Sequence, residues 1–192
     1  MKYFLFPGYK VQGFNEEIEK FIEEQGDKAF NIEIDWSSDL VENIDKGRES
    51  LENKNLDGKK VFVGHSWGAV VAVKLAEDFE PDYLILCSLS PDFREDYEKM
   101  GELSKLGKLK QFLSRKFSSS LEEKPDYPEL NSETTFLYGE KEYHGYLGIR
   151  STGYSEIIDF RREKYSNSRH KIIQGAGHRL NKKYIEKLKE EL

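Results

Sequence analysis

The sequence predicts an α/β fold, in which a doubly wound, mainly parallel sheet of six strands carries helices on both faces. Short runs rich in β-branched and aromatic residues alternate with helical patterns, which indicates βαβ units. Several of the runs are almost continuously apolar, as is typical of parallel strands buried on both faces. The length of 192 residues fits one domain with a sizeable core, so we expect a single domain over residues 1–192.

Six segments are predicted as strands and five as helices. The strands are "KYFLF" (2–6), "FNIEI" (30–34), "KVFVG" (60–64), "YLILCS" (83–88), "TTFLYG" (134–139) and "HKIIQG" (170–175). The helices cover 14–26, 39–53, 67–79, 153–166 and 181–192. If the strand order is 2-1-3-4-5-6, the loops after the first and third strands flank the crevice where ligands bind in such sheets.

Residues 91–130 interrupt this alternation with a segment longer than an ordinary connection. Apolar residues recur at helical spacing from Tyr97 to Phe117, which predicts a short helical insertion. The insertion is either an extra helical pair packed on the sheet or a lid that covers a site and lines an apolar pocket. Its basic residues form either a solvated helix face or a surface for a phosphorylated group; they are Lys105, Lys108, Lys110, Arg115 and Lys116.

Composition argues against several classes of protein. A net charge of −6 disfavours a nucleic-acid partner. The single cysteine, Cys87, excludes an internal disulfide framework and suits a reducing compartment. The apolar run at the start of the sequence is too short for a signal peptide, and no segment approaches the roughly 20 apolar residues of a membrane span. We therefore expect a cytoplasmic protein with neither a nucleic-acid partner nor a membrane span.

The motif "GHSWG" (64–68) lies where the third strand gives way to a helix, and it fits G-x-S-x-G. An immediate turn from strand to helix strains the backbone at Ser66, and small neighbours let strand and helix approach each other. The hydroxyl then projects above the sheet at the positive end of a helix. Ser66 is therefore a candidate nucleophile. The alternative is a glycine-rich βα turn with an incidental serine.

A serine nucleophile of this type needs an acid and a histidine further along the chain, in that order. The segment "QGAGH" places His178 in a glycine-rich loop after the last strand, and His is the natural general base at neutral pH. His65 and His170 favour structural roles, because one occupies a variable position of the motif and the other begins a strand. His144, close to the candidate acids, is a distant second choice for the base.

Three carboxylates are candidates for the acid. Glu140 and Glu142 lie in the turn "GEKE" after the fifth strand, and Asp92 follows the fourth strand. All three positions are at strand ends, where an acid can reach the side of the imidazole that faces away from the serine. Both glutamates also fit the role of solvated turn residues in a chain with 36 acidic residues.

The loop after the first strand, in "FPGY" (6–9), is expected to supply a donor for a developing oxyanion. Gly8 lets the backbone come close to substrate, so the backbone N–H of Tyr9 can act beside that of Trp67. The alternative for this Pro-Gly pair is an ordinary turn.

The segments "FPGY", "GHSWGA", "GEKE" and "GAGH" together resemble the α/β-hydrolase family over nearly the whole chain. The sequence is similar to small single-domain serine hydrolases that begin at the family's third strand. The resemblance implies Ser66 as nucleophile, His178 as base, the N–H groups of Tyr9 and Trp67 as the oxyanion hole, and neither cofactor nor metal. In the family's pattern the acid sits three places after the glycine that ends the strand, which is Glu142 here, although the family usually has Asp.

These features predict a serine hydrolase that cleaves a carboxylic ester or thioester of a small-molecule acyl substrate. Because one fold supports many reactions, a peptidase, an amidase and a C–C bond hydrolase remain alternatives on the same residues. A non-catalytic binding protein with this fold is the alternative from another class, but all three residue types of the site are present. A nucleotide-binding domain lacks support, because the motif has neither a P-loop lysine nor G-x-G-x-x-G spacing.

Overall fold

A single parallel sheet runs through the part of the protein that the computed structural model describes, residues 1–8, 14–35, 37–90, 126–142 and 154–192. Its strands are β1 (Lys2–Phe6), β2 (Lys28–Asn31), β3 (Lys60–His65), β4 (Tyr83–Cys87), β5 (Glu133–Gly139) and β6 (Ser168–Ile173). The strand order is β2-β1-β3-β4-β5-β6, and each neighbouring pair is parallel. The predicted doubly wound sheet is therefore confirmed, and the strand order is the one that was assumed for the placement of the crevice.

The five predicted helices are present, one with the predicted bounds 67–79 and four slightly shorter. They are α1 (Glu16–Glu24), α2 (Leu40–Glu52), α3 (Trp67–Phe79), α4 (Tyr154–Lys164) and α5 (Lys182–Lys189). Side-chain caps explain three of the beginnings: Asn15 accepts from backbone N–H groups of α1, and Asn181 accepts from one in α5. Asp39 forms a capping box with Glu42 at α2. No helix in these described ranges is long and apolar enough to cross a membrane.

The predicted lid-like insertion at 91–130 falls mostly outside the described residues, which resume at 126. Within the part that is described, the hydroxyl of Tyr127 donates to the backbone carbonyl of Ser90 at 2.6 Å. This bond ties the end of the insertion to the chain that follows β4. The lid itself stays a prediction.

Strand β2 differs from its prediction, because it covers 28–31 instead of 30–34. Its ladder with β1 ends after the backbone N–H of Ile32 donates to the carbonyl of Leu5 at 2.9 Å. In a parallel ladder the next donor would be the backbone nitrogen of residue 7. That residue is Pro7, which has no N–H, so pairing stops there although Ile32 and Ile34 are both buried.

Hydrophobic side chains pack on both faces of the sheet. Alternate residues of β1 divide between the faces: Phe4 and Phe6 pack with α2 and α3, whereas Tyr3 and Leu5 pack with α1 and α5. Helix α3 is apolar almost all round and lies largely buried on its face. Packing against the sheet therefore fixes the position of α3 and of the turn that precedes it.

Candidate active site

Ser66 occupies a strained turn between β3 and α3. Its φ of 55° and ψ of −120° are rare for a residue other than glycine, and such a conformation costs about 1–3 kcal/mol. Two backbone hydrogen bonds maintain it: the N–H of Ser66 donates to the carbonyl of Cys87 at 2.8 Å, and the N–H of Ala69 donates to the carbonyl of Ser66 at 3.0 Å. A serine at a helix N-cap usually caps the helix, but the hydroxyl of Ser66 makes no such bond.

The two glycines of the motif are required by close backbone contacts. A Cβ added at Gly64 would lie 2.4 Å from the Cα of Ala69 in α3. A Cβ added at Gly68 would lie 2.2 Å from the carbonyl oxygen of Phe6 and 2.3 Å from that of Pro7. The strand, the helix and the loop after β1 therefore meet at Ser66 with no room for a side chain on either glycine.

We expect Gly68→Ala to destabilise the protein by about 1–3 kcal/mol, because the added methyl must displace backbone atoms. Urea unfolding measures the free-energy change. The matched control is Gly177→Ala, where an added Cβ has no atom within 4 Å and the same change in unfolded-state entropy applies. Equal stabilities for the two variants would contradict the close contact at Gly68.

Three of the predicted side chains lie in one hydrogen-bonded row. The Oγ of Ser66 is 2.9 Å from Nε2 of His178, and Nδ1 of His178 is 3.0 Å from Oε2 of Glu142. The Glu142 side chain is 1% exposed, whereas that of His178 is 26% exposed. A buried carboxylate that accepts from Nδ1–H fixes the imidazole tautomer and leaves Nε2 free of hydrogen. This nitrogen can then accept a proton from the serine.

Glu140, the second candidate for the acid, has a different partner. Its Oε2 accepts from the backbone N–H of Gly175 at 2.7 Å, so this carboxylate holds the loop that precedes His178. Among the other candidates, Trp67 is the first residue of α3, next to Ser66. Tyr9, Asp92 and His144 lie outside the described residues.

Two further hydrogen bonds hold the loop that carries His178. The backbone N–H of Lys141 donates to the carbonyl of Ala176 at 2.9 Å. The ring of His65 donates from Nε2 to the carbonyl of His178 at 2.7 Å, which fixes the tautomer of His65 because a carbonyl can only accept. Both bonds hold the loop in place. The bond from His65 agrees with the structural role that the sequence favoured for this residue.

Sequence reasoning missed two residues near the carboxylate of Glu142: Ser88, which contacts it, and Tyr184, which contacts Ser88. The hydroxyl of Ser88 donates to Oε1 of Glu142 at 2.7 Å, and the hydroxyl of Tyr184 lies 2.9 Å from that of Ser88. The only signal for Ser88 is its position directly after a buried strand. Tyr184 belongs to an ordinary amphipathic helix pattern, which gives no sign of a contact with the site.

Cys87 lies beneath the turn and is fully buried. Burial, and secondarily the nearby charge of Glu142, raises the pKa of its thiol well above the ordinary range. The thiol therefore stays protonated at neutral pH. It does not compete with Ser66 as a nucleophile, since the thiolate is the reactive form of cysteine.

Solved structures with the same architecture cover nearly all of this chain. A mouse α/β-hydrolase domain-containing protein matches with a TM-score of 0.73 and 13% identity, over 99% of this chain and 87% of its own. An esterase from Pyrococcus furiosus matches with a TM-score of 0.71 and 15% identity, over 99% of this chain and 79% of its own. An α/β-hydrolase enzyme from a lagoon-sediment metagenome in Morocco matches with a TM-score of 0.69 and 16% identity, over 99% and 87%. The chain has the α/β-hydrolase fold.

No protein-family model and no curated protein matches the sequence. Structural similarity at 13–16% sequence identity shows the α/β-hydrolase fold, but it does not show an activity. The fold accounts for where the site lies, because it brings the loops after β3, β5 and β6 to one edge of the sheet. The chemistry of the site depends on the side chains themselves.

Proposed function

We propose that this α/β-hydrolase-fold protein is a serine hydrolase that cleaves a small-molecule carboxylic ester or thioester through an acyl-enzyme on Ser66. The observation that carries the proposal is the row from Ser66 through His178 to Glu142, with contacts of 2.9 and 3.0 Å. The strained backbone at Ser66 supports it further, because such strain concentrates at functional sites. The proposal includes a single domain over residues 1–192. It also includes a cytoplasmic location.

In the first half-reaction, Nε2 of His178 takes the proton of Ser66 as Oγ bonds to the acyl carbon. Glu142 stabilises the imidazolium that results, through Nδ1–H. The tetrahedral intermediate then breaks its bond to the leaving group, which takes the proton from His178 and departs as an alcohol or thiol. In the second half-reaction His178 takes a proton from water as the water oxygen bonds to the acyl carbon. The bond from the acyl carbon to Oγ of Ser66 then breaks, His178 returns the proton to Oγ, and the acid is released.

The oxyanion of the intermediate is proposed to accept from the backbone N–H groups of Trp67 and Tyr9. The N–H of Trp67 lies at the start of α3, at the positive end of the helix dipole. The close contacts at Gly68 bring the carbonyls of Phe6 and Pro7 against this turn. These contacts support a second donor from the loop that follows β1.

An ester is favoured over an amide because structural neighbours include proteins named as esterases, one from Pyrococcus furiosus and one that acts on polyneuridine aldehyde. A thioester with a phosphorylated leaving group is the variant that the basic residues between 105 and 116 favour. In either case the acyl group passes through the same intermediate on Ser66.

Fluorophosphonate labelling, followed by a panel of substrates, tests the proposal. We expect one equivalent of label on the peptide that contains Ser66, and hydrolysis of chromogenic esters or acyl-CoA thioesters of graded chain length. Protein that is unfolded in urea before the probe is added should not be labelled, because reactivity depends on the aligned row. Folded protein that stays unlabelled while a known serine hydrolase reacts alongside it would contradict the proposal.

A further inference from the structure

Ser88 lies at the carboxyl end of β4, on the far side of Glu142 from His178. It is 1% exposed, and its φ of 55° equals that of Ser66 and is rare for a residue other than glycine. Its backbone N–H donates to the carbonyl of Leu137 in β5 at 2.8 Å. This bond holds the strained backbone so that the side chain faces the carboxylate.

The two oxygens of Glu142 have different partners. Oε1 accepts from the hydroxyl of Ser88 and from the backbone N–H of Gly139, each at 2.7 Å. Oε2 faces Nδ1 of His178 at 3.0 Å. Two donors on one oxygen stop the carboxylate from rotating, and they direct the other oxygen at the imidazole.

Tyr184 of α5 lies behind Ser88 and supplies its orientation. The Tyr184 hydroxyl is 2.9 Å from the Oγ of Ser88 and 2.6 Å from the carbonyl of Leu137. Tyr184 donates its hydrogen to that carbonyl, which has two lone pairs and also accepts from the backbone N–H of Ser88. Ser88 has one hydrogen, which it gives to the carboxylate, and its Oγ is the longer arm of a three-centre bond from Tyr184.

We propose that Ser88 is a positioning residue for the acid, with Tyr184 orienting its hydroxyl. The inference rests on the proposed function, because it assigns Glu142 the role of acid. It also explains how glutamate serves at a position where aspartate is usual in the family that the sequence resembles. Glutamate has one more rotatable bond than aspartate, and the donors from Ser88 and Gly139 restrain it.

Ser88→Ala and Ser88→Gly test the hydroxyl separately from the backbone strain. Both variants remove the donor, but only glycine relieves the positive φ. We expect both to lower kcat by about 10- to 100-fold, by analogy with the loss when a partner that orients a metal ligand is removed, with KM changed less than about twofold. Full activity in Ser88→Gly would overturn the proposal, because the strain and not the hydroxyl would then matter.

A double-mutant cycle separates positioning from a merely structural role. In the Glu142→Gln background, Ser88→Ala should cause little further loss of kcat, since Ser88 acts through the carboxylate. The matched control is Tyr138→Phe, which removes a buried hydroxyl that donates to the carbonyl of Leu89 at 3.0 Å. It should leave kcat unchanged, whereas Tyr184→Phe should lower it. A full second loss in the double variant, or equal effects of the two tyrosine variants, would overturn the proposal.

Two readouts do not depend on knowing the substrate: the rate of fluorophosphonate labelling, and the far-downfield proton resonance of Nδ1–H of His178. Ser88→Ala should slow the labelling and shift the resonance, and Tyr138→Phe should change neither. If these changes occur while no ester or thioester is cleaved, the proposed substrate class is wrong and the role of Ser88 stands. A labelling rate and a resonance that Ser88→Ala leaves unchanged would overturn the role of Ser88.

Discussion

Ser66→Ala should lower kcat by on the order of 10⁶ on any ester that the protein cleaves, as is usual when the nucleophile of a cooperating triad is removed. The remaining groups have no atom with which to form the acyl-enzyme. The fold should be retained, because the hydroxyl of Ser66 makes no helix-cap bond that alanine would lose. We therefore expect urea unfolding to match that of the wild type to within about 1 kcal/mol.

The matched control is Ser132→Ala. The hydroxyl of Ser132 donates to the carbonyl of Pro81 at 2.7 Å. Ser132 precedes the amino end of β5, whereas the candidate site lies at the carboxyl ends of the strands. This variant should keep wild-type kcat although, like Ser66→Ala, it loses a hydrogen bond of a serine hydroxyl. A Ser66→Ala variant that retains more than about a thousandth of wild-type kcat would place the nucleophile elsewhere.

Glu142→Gln should lower kcat by on the order of 10⁴ while leaving substrate binding nearly unchanged, as the equivalent change does in serine proteases. The donors from Ser88 and Gly139 hold the amide oxygen at the Oε1 position, so the amide nitrogen faces Nδ1 of His178. The imidazole must then accept at Nδ1 and carry its hydrogen at Nε2. In that tautomer it cannot take the proton of Ser66.

Glu140→Gln is the control for this change, because the new amide oxygen can still accept from the backbone N–H of Gly175. We expect its kcat to stay within about threefold of the wild type, as for a surface change that keeps its hydrogen bond. If Glu140→Gln or Asp92→Asn abolished activity and Glu142→Gln did not, the acid would be that residue instead.

Local sequence patterns predicted most of the architecture. Apolar runs and helical spacing identify the strands and helices because each element must bury one face or both faces in this fold. The alternation of strands and helices predicts a parallel sheet but not the order of its strands, since several orders are compatible with it. The end of β2 could not be predicted, since it depends on which backbone nitrogen lies opposite Ile32, and the register that places Pro7 there is a tertiary property.

The members of the row with Ser66 could be predicted because each lies in a loop with a recognisable composition. The glycines around Ser66 and His178 mark such loops, and the turn after β5 offered two glutamates. Geometry distinguishes these glutamates: Glu142 reaches the imidazole, whereas Glu140 reaches Gly175. The contact of Ser88 with Glu142 could not be predicted. A serine directly after a buried strand is common, and the neighbouring residues form no motif that indicates such a contact.

His178, the proposed base, is carried by the loop that follows β6, and Ser66, the proposed nucleophile, lies 112 residues earlier in the chain. Strand β6 is at an edge of the sheet and pairs only with β5 among the described strands. Contacts this distant in sequence require a long loop to close, which costs entropy, so we expect the edge strand to dock after the central strands. The central strands can therefore assemble around α3 and still leave the serine without its partner. Recovered activity during refolding would report that the last strand has docked, not merely that the core has collapsed.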